Sequence, residues 1–305
     1  MTKKELALIQ TVRKSNELVQ KARYKLSLPA QRILLFLISR IQPEDTEFRE
    51  EEFVISDFMD MCGMEDSGGN YTILKEALSS LLSDSARVWV PIDEDHSVPL
   101  MWIDQPVLNH KTGRFTVKLN DRMRPYLLNL KSHFTQYELI YTMRFRSRYS
   151  CRLYELAKSF QYHDETPFVK VYDVAELRGL LDAEVYPLYK DFKRRTLSIA
   201  TDEVNRFTDK NLEIREIRDG RRVVKLELLI SAKTGAALEQ VQEMIGRPKR
   251  KSPTPKAVDT SITPAAVAAR ARKSGKYGPQ DRTPDLKKME ATMRFHDFLM
   301  AQGAE

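Results

Sequence analysis

Residues Tyr186–Phe207 read YPLYKDFKRRTLSIATDEVNRF, and their side chains separate onto two faces of a predicted helix. At about 100° per residue, one face carries apolar or small residues: Tyr189, Phe192, Thr196, Ala200, Val204 and Phe207. The opposite face carries Lys190, Arg194, Ser198, Thr201 and Asn205. The stretch therefore predicts a helix that packs on one side and presents cations on the other.

A β-hairpin is predicted directly after this helix. Apolar residues alternate with other residues in its second strand, as expected for a half-buried strand, at Val224, Leu226, Leu228 and Ile230. Asp219-Gly220 suits a tight type I′ turn, and Arg218, Arg221 and Arg222 lie beside it. A basic helix followed by a hairpin is the order in which a winged helix presents itself to DNA.

The first half of the chain repeats this plan. Ser27 is a suitable cap for a helix over residues 27–41, whose apolar run at Ile33–Ile38 indicates burial on almost every side. Further helices are predicted at 57–62 and 70–83, and strands at 86–92, 99–107 and 114–119. The pattern then predicts helices at 121–130, 135–160 and 174–181, with a strand at 168–172. The sequence therefore predicts an α+β fold of tandem winged-helix domains, over residues 1–131 and 132–232.

Residues 233–305 are predicted to form a flexible basic C-terminal tail. Pro248, Pro253 and Pro255 lie among lysines and arginines, a composition that buries no core. Apolar residues at helical spacing predict a short helix at 285–302, with Leu286, Met289, Met293 and Leu299 along one side.

Charge and cysteine content narrow the functional class. The 305 residues include 50 Lys plus Arg and 43 Asp plus Glu, a formal charge of +7 that favours a polyanionic partner. Cys62 and Cys151 are far apart in sequence and lack a CxxC pattern, so neither a disulfide framework nor a zinc site is predicted. No stretch approaches the roughly 18 apolar residues that indicate a membrane span. We therefore expect a cytoplasmic protein without a membrane partner.

The basic helix and the hairpin supply the main candidates for DNA contacts. Outward residues of a helix in the major groove read base edges, and the cations around them bind phosphates. This logic assigns base contacts to Lys190, Arg194, Ser198 and Thr201, and phosphate contacts to Lys193, Arg195 and Arg222. Arg221 at the hairpin tip is a further DNA-binding candidate. A merely solvated helix face is the alternative, and the arginines of the hairpin favour DNA over it.

Two other surfaces have two interpretations each. Arg144, Arg148 and Arg152 recur one helical turn apart, so they either bind successive phosphates or join the domains, with Arg152 pairing with Glu155. Lys75 lies on the outward face of the second helix in the first domain, where a DNA-contacting surface and a solvated or subunit-facing surface are both open.

Catalytic motifs are not found. The five histidines form no His-x-His or His-x-x-x-His pair, so a metal-dependent nicking site lacks its ligands. The chain contains no GxxxxGK[ST] phosphate loop. The sequence predicts no catalytic residue, no metal site, no cofactor and no enzymatic activity.

Three segments together resemble one protein family. They are NELVQKARYKLSLPAQRILLFLISRI at residues 16–41, FRSRYSCRLYELAKSF at 145–160 and YPLYKDFKRRTLSIATDEVNRFTD at 186–209. They are similar to the theta-type plasmid replication initiators that bind iterons, and the likeness extends over residues 16–231. The resemblance implies two winged-helix domains, binding to direct repeats as a monomer, and autorepression at an inverted repeat as a dimer. It further implies dimerisation through the N-terminal domain, major-groove reading mainly by the C-terminal one, and DNA contacts at Lys190, Lys193, Arg194 and Arg195.

The sequence-based hypothesis is a plasmid replication initiator that binds double-stranded origin DNA and helps to open it. The partners expected on this basis are a second copy of the chain, in equilibrium with the monomer, and host helicase and initiator proteins. One alternative is a winged-helix transcriptional repressor without a replication role. A nicking relaxase or primase, and a protein-interaction scaffold, are the others.

Overall fold

A computed structural model describes residues 10–61, 68–104, 106–109, 111–160 and 167–246 of the chain. Within these ranges helices alternate with short antiparallel strands, an α+β arrangement as the sequence predicts. The predicted helix at 285–302 lies outside the described residues.

The first unit alternates short strands with helices and carries four consecutive short strands in its second half. Its helices are α1 (Asn16–Gln20), α2 (Leu28–Ser39), α3 (Ile55–Met61), α4 (Gly68–Ser80) and α5 (Arg124–Leu127), with 3₁₀ turns at Asp84–Ala86 and Asp121–Met123. Its strands are β1 (Thr11–Ser15), β2 (Glu51–Val54), β3 (Val88–Pro91), β4 (Ser97–Leu100), β5 (Val107–Asn109) and β6 (Arg114–Val117). Strands β2, β6 and β5 form one antiparallel sheet in that order, and β3 pairs with β4. The single strand predicted at 99–107 is thus two strands.

Helix α2 forms where the sequence places both a cap and an apolar run. The Ser27 hydroxyl accepts a hydrogen bond from the amide of Ala30 at 3.3 Å, and Pro29 lies in the first turn. Ile33, Leu34 and Ile38 are almost completely buried. The apolar run of this helix is therefore buried, as predicted.

The second unit also combines helices with strands. Counted from the predicted boundary at residue 132, its elements are β7 (Phe134–Glu138), α6 (Ile140–Met143), α7 (Arg148–Ser159), β8 (Phe168–Asp173), α8 (Val174–Leu180), α9 (Tyr189–Phe192), a π-helical turn (Lys193–Leu197), α10 (Ser198–Phe207), β9 (Lys210–Asp219), β10 (Arg222–Ala232) and α11 (Gly235–Ile245). Strands β8, β10 and β9 form an antiparallel sheet in that order. Tyr172, Leu226 and Leu228 in this sheet, with Ala200 and Val204 of α10, are buried in the core of this unit.

The single helix predicted at 135–160 is wrong in its first part. Strand β7 pairs with β1 in antiparallel register, from Thr11 opposite Glu138 to Ser15 opposite Phe134. Alternation explains this, because Thr135 and Tyr137 are buried while Gln136 between them is exposed. The first domain was predicted to end at residue 131; β7 lies beyond that point yet pairs with the N-terminal strand, and the division itself stays a prediction.

The predicted tail begins too early in the chain. Residues 235–245 form helix α11, and Val241 and Ile245 on it are buried. Gly246 ends the helix with φ of 71°, the left-handed conformation common at helix ends. The assignment of residues 235–245 to a flexible tail was therefore wrong, because apolar residues at helical spacing outweigh the basic composition further along.

A buried polar network on α7 connects the two units. Glu155 accepts hydrogen bonds from Lys14 and Tyr137, both at 2.6 Å. Arg152 donates to the carbonyl oxygens of Val19 and Ala22 on one side, at 3.2 and 3.0 Å, and to that of Leu180 on the other, at 3.3 Å. Helix α7 thus fixes β1 and α1 of the first unit to the end of α8 in the second.

Candidate nucleic-acid interface

The predicted basic helix and hairpin form one continuous surface in the second unit. The helix runs through α9, the π-helical turn and α10 before the chain enters β9. Asn205 fixes the helix to the hairpin, because its side-chain amide donates to the carbonyl of Leu212 at 2.8 Å and its oxygen accepts from the Leu212 amide at 2.6 Å. Asn205, placed on the outward face from sequence, therefore serves packing.

The turn of the hairpin differs from the predicted type. Asp219 pairs with Arg222, so the two loop residues are Gly220 and Arg221. Gly220 has φ of 55°, and among the described residues neither Asp219 nor Arg221 has positive φ. Glycine at the first loop position is typical of a type II′ turn rather than type I′. In this turn too, Arg221 and Arg222 are exposed at the tip of the hairpin.

Four cations predicted for DNA binding lie exposed at the start of the helix. They are Lys190, Lys193, Arg194 and Arg195. Asp191 contacts two of them, at 3.2 Å from Arg194 and 3.8 Å from Arg195. These are surface ion pairs of small stability, so a phosphate can replace the carboxylate at low cost.

Glu216 of β9 joins the helix to the hairpin. Its carboxylate accepts hydrogen bonds from Lys193 at 2.7 Å, Tyr189 at 2.9 Å and Arg218 at 2.5 Å. The hydrogen bond from Lys193, with those from Tyr189 and Arg218, lowers the pKa of Glu216 to about 2. The carboxylate therefore stays charged and holds two cations in place.

The π-helical turn changes which residues of α10 face outward. A π turn contains one more residue than an α turn, so every later residue moves by about one position around the axis. Thr201 is accordingly only partly exposed, and its hydroxyl oxygen is buried without a hydrogen-bond partner. Ser198 remains exposed, and three residues that sequence reasoning missed are exposed with it: Ile199, Asp202 and Arg206. The sequence contains a signal for this shift, because the buried residues recur every four residues instead of every 3.6: Phe192, Thr196, Ala200, Val204 and Thr208.

Two arginines of the run at residues 144–152, Arg148 and Arg152, lie on α7 and make contacts within the protein. Arg148 binds Asp182, with a salt bridge of 2.5 Å and a hydrogen bond of 2.9 Å to its carbonyl. Arg152 is buried and lies 3.5 Å from Glu155. Arg152 also donates to the carbonyls of Val19 and Ala22 in the first unit, as the interpretation in which the run joins the domains requires. Arg144 is exposed, as a phosphate contact requires.

The first unit presents a less basic helix. On α4, Leu74, Ala77 and Leu78 are buried, whereas Lys75 and Glu76 are exposed side by side. The neighbouring carboxylate offsets the charge of Lys75, so this surface attracts DNA less strongly than the basic helix of the second unit.

The described residues hold no group of three or more His, Cys, Asp or Glu side chains suited to a metal ion. Burial raises the pKa of the Cys151 thiol to about 12, which leaves it unreactive. In the described part of the chain, no helix has the length and apolar character needed to cross a membrane.

Two family models match the chain. One, described as "Initiator Replication protein, WH1", matches residues 11–158, and the other, "Initiator Rep protein, WH2", matches residues 173–230. Together they cover more than half of the chain. The predicted fold of two winged-helix domains and the resemblance to replication initiators are confirmed.

Two solved structures are similar to this chain over part of its length. The Pi initiator protein, in a crystal structure with iteron DNA, has 20% sequence identity and a TM-score of 0.58, over 75% of this chain and 99% of that chain. Domains 2 and 3 of RctB have 11% identity and a TM-score of 0.41, over 68% of this chain and 81% of that chain.

Proposed function

This chain belongs to the family of initiator replication proteins, and we propose that it starts plasmid replication by binding the direct repeats, or iterons, of an origin. The observation that carries the proposal is the surface of α9, the π-helical turn, α10 and the β9–β10 hairpin. This surface carries exposed cations on a helix and on the adjacent hairpin, an arrangement that suits a helix in the major groove and a hairpin beside the phosphate backbone. The structure of the Pi initiator protein with iteron DNA supports the same partner.

The cations of this surface divide by position. Lys190, Arg194 and Ser198 lie on the helix and face the base edges. Lys193, Arg195, Arg221 and Arg222 flank them and bind phosphates. Arg144 and Lys75, both exposed, are assigned auxiliary phosphate contacts. Thr201 and Arg148, assigned to DNA from sequence, are not among the proposed contacts. The hydroxyl of Thr201 is buried, and the side chain of Arg148 is bound to Asp182.

Initiation follows from binding several copies to adjacent repeats. Each copy contributes phosphate contacts that offset the cost of bending the duplex. Bending and unwinding then open a nearby AT-rich segment, where host helicase and initiator proteins load. The protein acts in the cytoplasm and without hydrolysing a substrate. A dimer, in equilibrium with the monomer, represses the protein's own gene at an inverted repeat.

Footprinting on the DNA beside the gene tests this function. We expect wild-type protein to protect a cluster of direct repeats, and Arg194→Ala to lose that protection. Arg40→Ala is the matched control, because it removes the same side chain from a surface pair with Glu51 in the first unit. Equal protection by Arg194→Ala would show that the helix has been wrongly chosen. Protection of a lone inverted repeat and of no direct repeat would favour the repressor.

The salt dependence of binding tests the electrostatic part separately. If each protomer neutralises about six phosphates, log K falls with log salt at a slope near −5. A nearly flat dependence would contradict the proposed phosphate contacts. Nicks or primers formed on supercoiled origin DNA with Mg²⁺ would instead reveal an enzyme.

A further inference from the structure

The exposed face of α10 has a centre that the π-helical turn determines. Leu197, Ala200 and Val204 are buried on one side of the helix axis. At about 100° per residue, the direction opposite to them falls on Asp202, with Ile199 and Arg206 on one flank. Whatever this helix meets in the major groove, Asp202 and Ile199 meet it near the middle.

Asp202 is an acidic residue in an unusual position. It is exposed and, within the described part of the chain, no side chain pairs with it. The neighbouring acids differ, since Asp191 contacts Arg194 and Glu216 contacts Lys193. A lone carboxylate facing DNA is repelled by the phosphates, and a hydrogen bond donated by a base offsets this repulsion.

The chemistry of the groove limits which base this is. In the major groove, the N4 amino group of cytosine donates to Asp or Glu. Adenine also presents an amino group, but its N7 acceptor lies directly beside it and repels a carboxylate. Asp202 therefore fits cytosine.

Ile199 is an exposed apolar residue beside this carboxylate. Its side chain is 44% exposed, although the surrounding face is charged or polar. It cannot make a hydrogen bond, so its favourable contact with a base edge is with the 5-methyl group of thymine. Burying both apolar groups against each other removes them from water.

We propose that Asp202 and Ile199 are specificity-determining residues, Asp202 for the amino group of a cytosine and Ile199 for the methyl group of a thymine. The inference rests on the proposed function and adds the base chemistry that α10 recognises. It also predicts that these two residues, and not Thr201, discriminate between base pairs.

Single-base-pair replacement tests both assignments. The probe is a duplex with one direct repeat from the DNA beside the gene, in which each base pair is replaced in turn. Dissociation constants are measured by fluorescence anisotropy at one fixed salt concentration. Asp202→Asn should reduce discrimination at a C·G position, and Ile199→Ala at a T·A position, each by about fivefold or more, as expected for a lost base contact.

Uracil isolates the methyl group, because it pairs as thymine does but lacks that group. Uracil at the position read by Ile199 should weaken wild-type binding and leave Ile199→Ala binding unchanged. Two control variants should keep the wild-type profile. Glu239→Gln removes an exposed carboxylate from α11, and Met244→Ala shortens an exposed apolar side chain on the same helix. Thermal unfolding establishes that all four variants fold.

The outcomes separate this inference from the proposed function. A wild-type protein that binds the repeat no better than a scrambled duplex overturns both. A wild-type protein that prefers the repeat, with the same base profile in Asp202→Asn and Ile199→Ala, overturns the inference alone. Lost discrimination at a base pair other than C·G or T·A, respectively, also overturns it.

Discussion

The buried ion pair between Lys14 and Glu155 allows a sharp test of how the chain is held together. Lys14 Nζ lies 2.6 Å from Glu155 Oε1, and their side chains are 3% and 2% exposed. Lys14→Met keeps the length of the side chain and removes its charge. The carboxylate of Glu155 then stays buried with Tyr137, Tyr24 and a more distant Arg152 at 3.5 Å.

Removing one partner of a buried ion pair costs about 3–5 kcal/mol. Because Tyr137 and Arg152 still bind Glu155, we expect the lower end, about 3 kcal/mol. Urea unfolding followed by far-UV circular dichroism measures the loss. Arg13→Met is the matched control: Arg13 is the neighbouring residue on β1, and its contact with Gln136 is exposed. The control should lose no more than about 0.5 kcal/mol.

The pH dependence of this loss identifies the carboxylate as its cause. Burial opposes ionisation of Glu155, but Lys14 and Arg152 outweigh it and hold the pKa of its carboxyl below the ordinary value. Such a group stabilises the wild-type fold above the unfolded pKa of about 4.3, and this stability is lost as pH falls through the folded pKa. In Lys14→Met the carboxyl accepts a proton more readily, so the difference from wild type should shrink under acid conditions. A loss below about 1 kcal/mol at pH 7, or one that does not shrink with acid, would refute the reasoning.

Two carboxylates in or beside the basic helix, which comprises α9, the π-helical turn and α10, give further predictions. Glu216→Gln releases Lys193, so in gel-shift titrations binding to DNA without repeats should strengthen and depend more steeply on salt. Glu213→Gln removes the same charge from β9 and should leave the preference for repeats unaltered. Since the pKa of Glu216 is about 2, protonation of this group should not alter wild-type binding between about pH 5 and 8. Glu203 accepts a hydrogen bond from the Ser150 hydroxyl at 2.6 Å. Glu203→Ala should therefore lower thermal stability by an amount equivalent to about 2 kcal/mol. Equal melting temperatures of wild type and Glu203→Ala would show that this contact is not made.

Local patterns were sufficient to predict the elements that build each winged helix. The Ser27 cap, the apolar run of α2 and the alternation in β10 from Leu226 to Ile230 depend on residues close in sequence and are found in the structure. A register shift between Val223 and Lys225 buries Val223 in place of the predicted Val224. The break between β7 and α7 was missed, because β7 forms by pairing with β1, more than a hundred residues earlier. Helical spacing around Arg144 and Arg148 concealed this distant partner.

The candidate site was predictable in its chemistry but less so in its register. The exposed cations of α9 and the π-helical turn are where a constant 100° rotation places them. After Leu197 the same rule places Thr201 and Asn205 outward, whereas both are only partly exposed. One added residue in a helical turn is invisible to a periodicity that assumes no interruption.

The contacts of Glu203 show why this register matters for reading DNA. Its carboxylate accepts from the backbone amides of Arg146 and Ser147, at 2.9 and 3.2 Å, at the amino-terminal end of α7. This end of a helix attracts negative charge, so the contact holds α10 in one rotation about its axis. With Glu203 directed toward α7, Asp202 cannot share that contact and is left on the outward face. The same acidic pair in sequence thus serves two purposes, one residue to anchor the helix and the other to face the base edges.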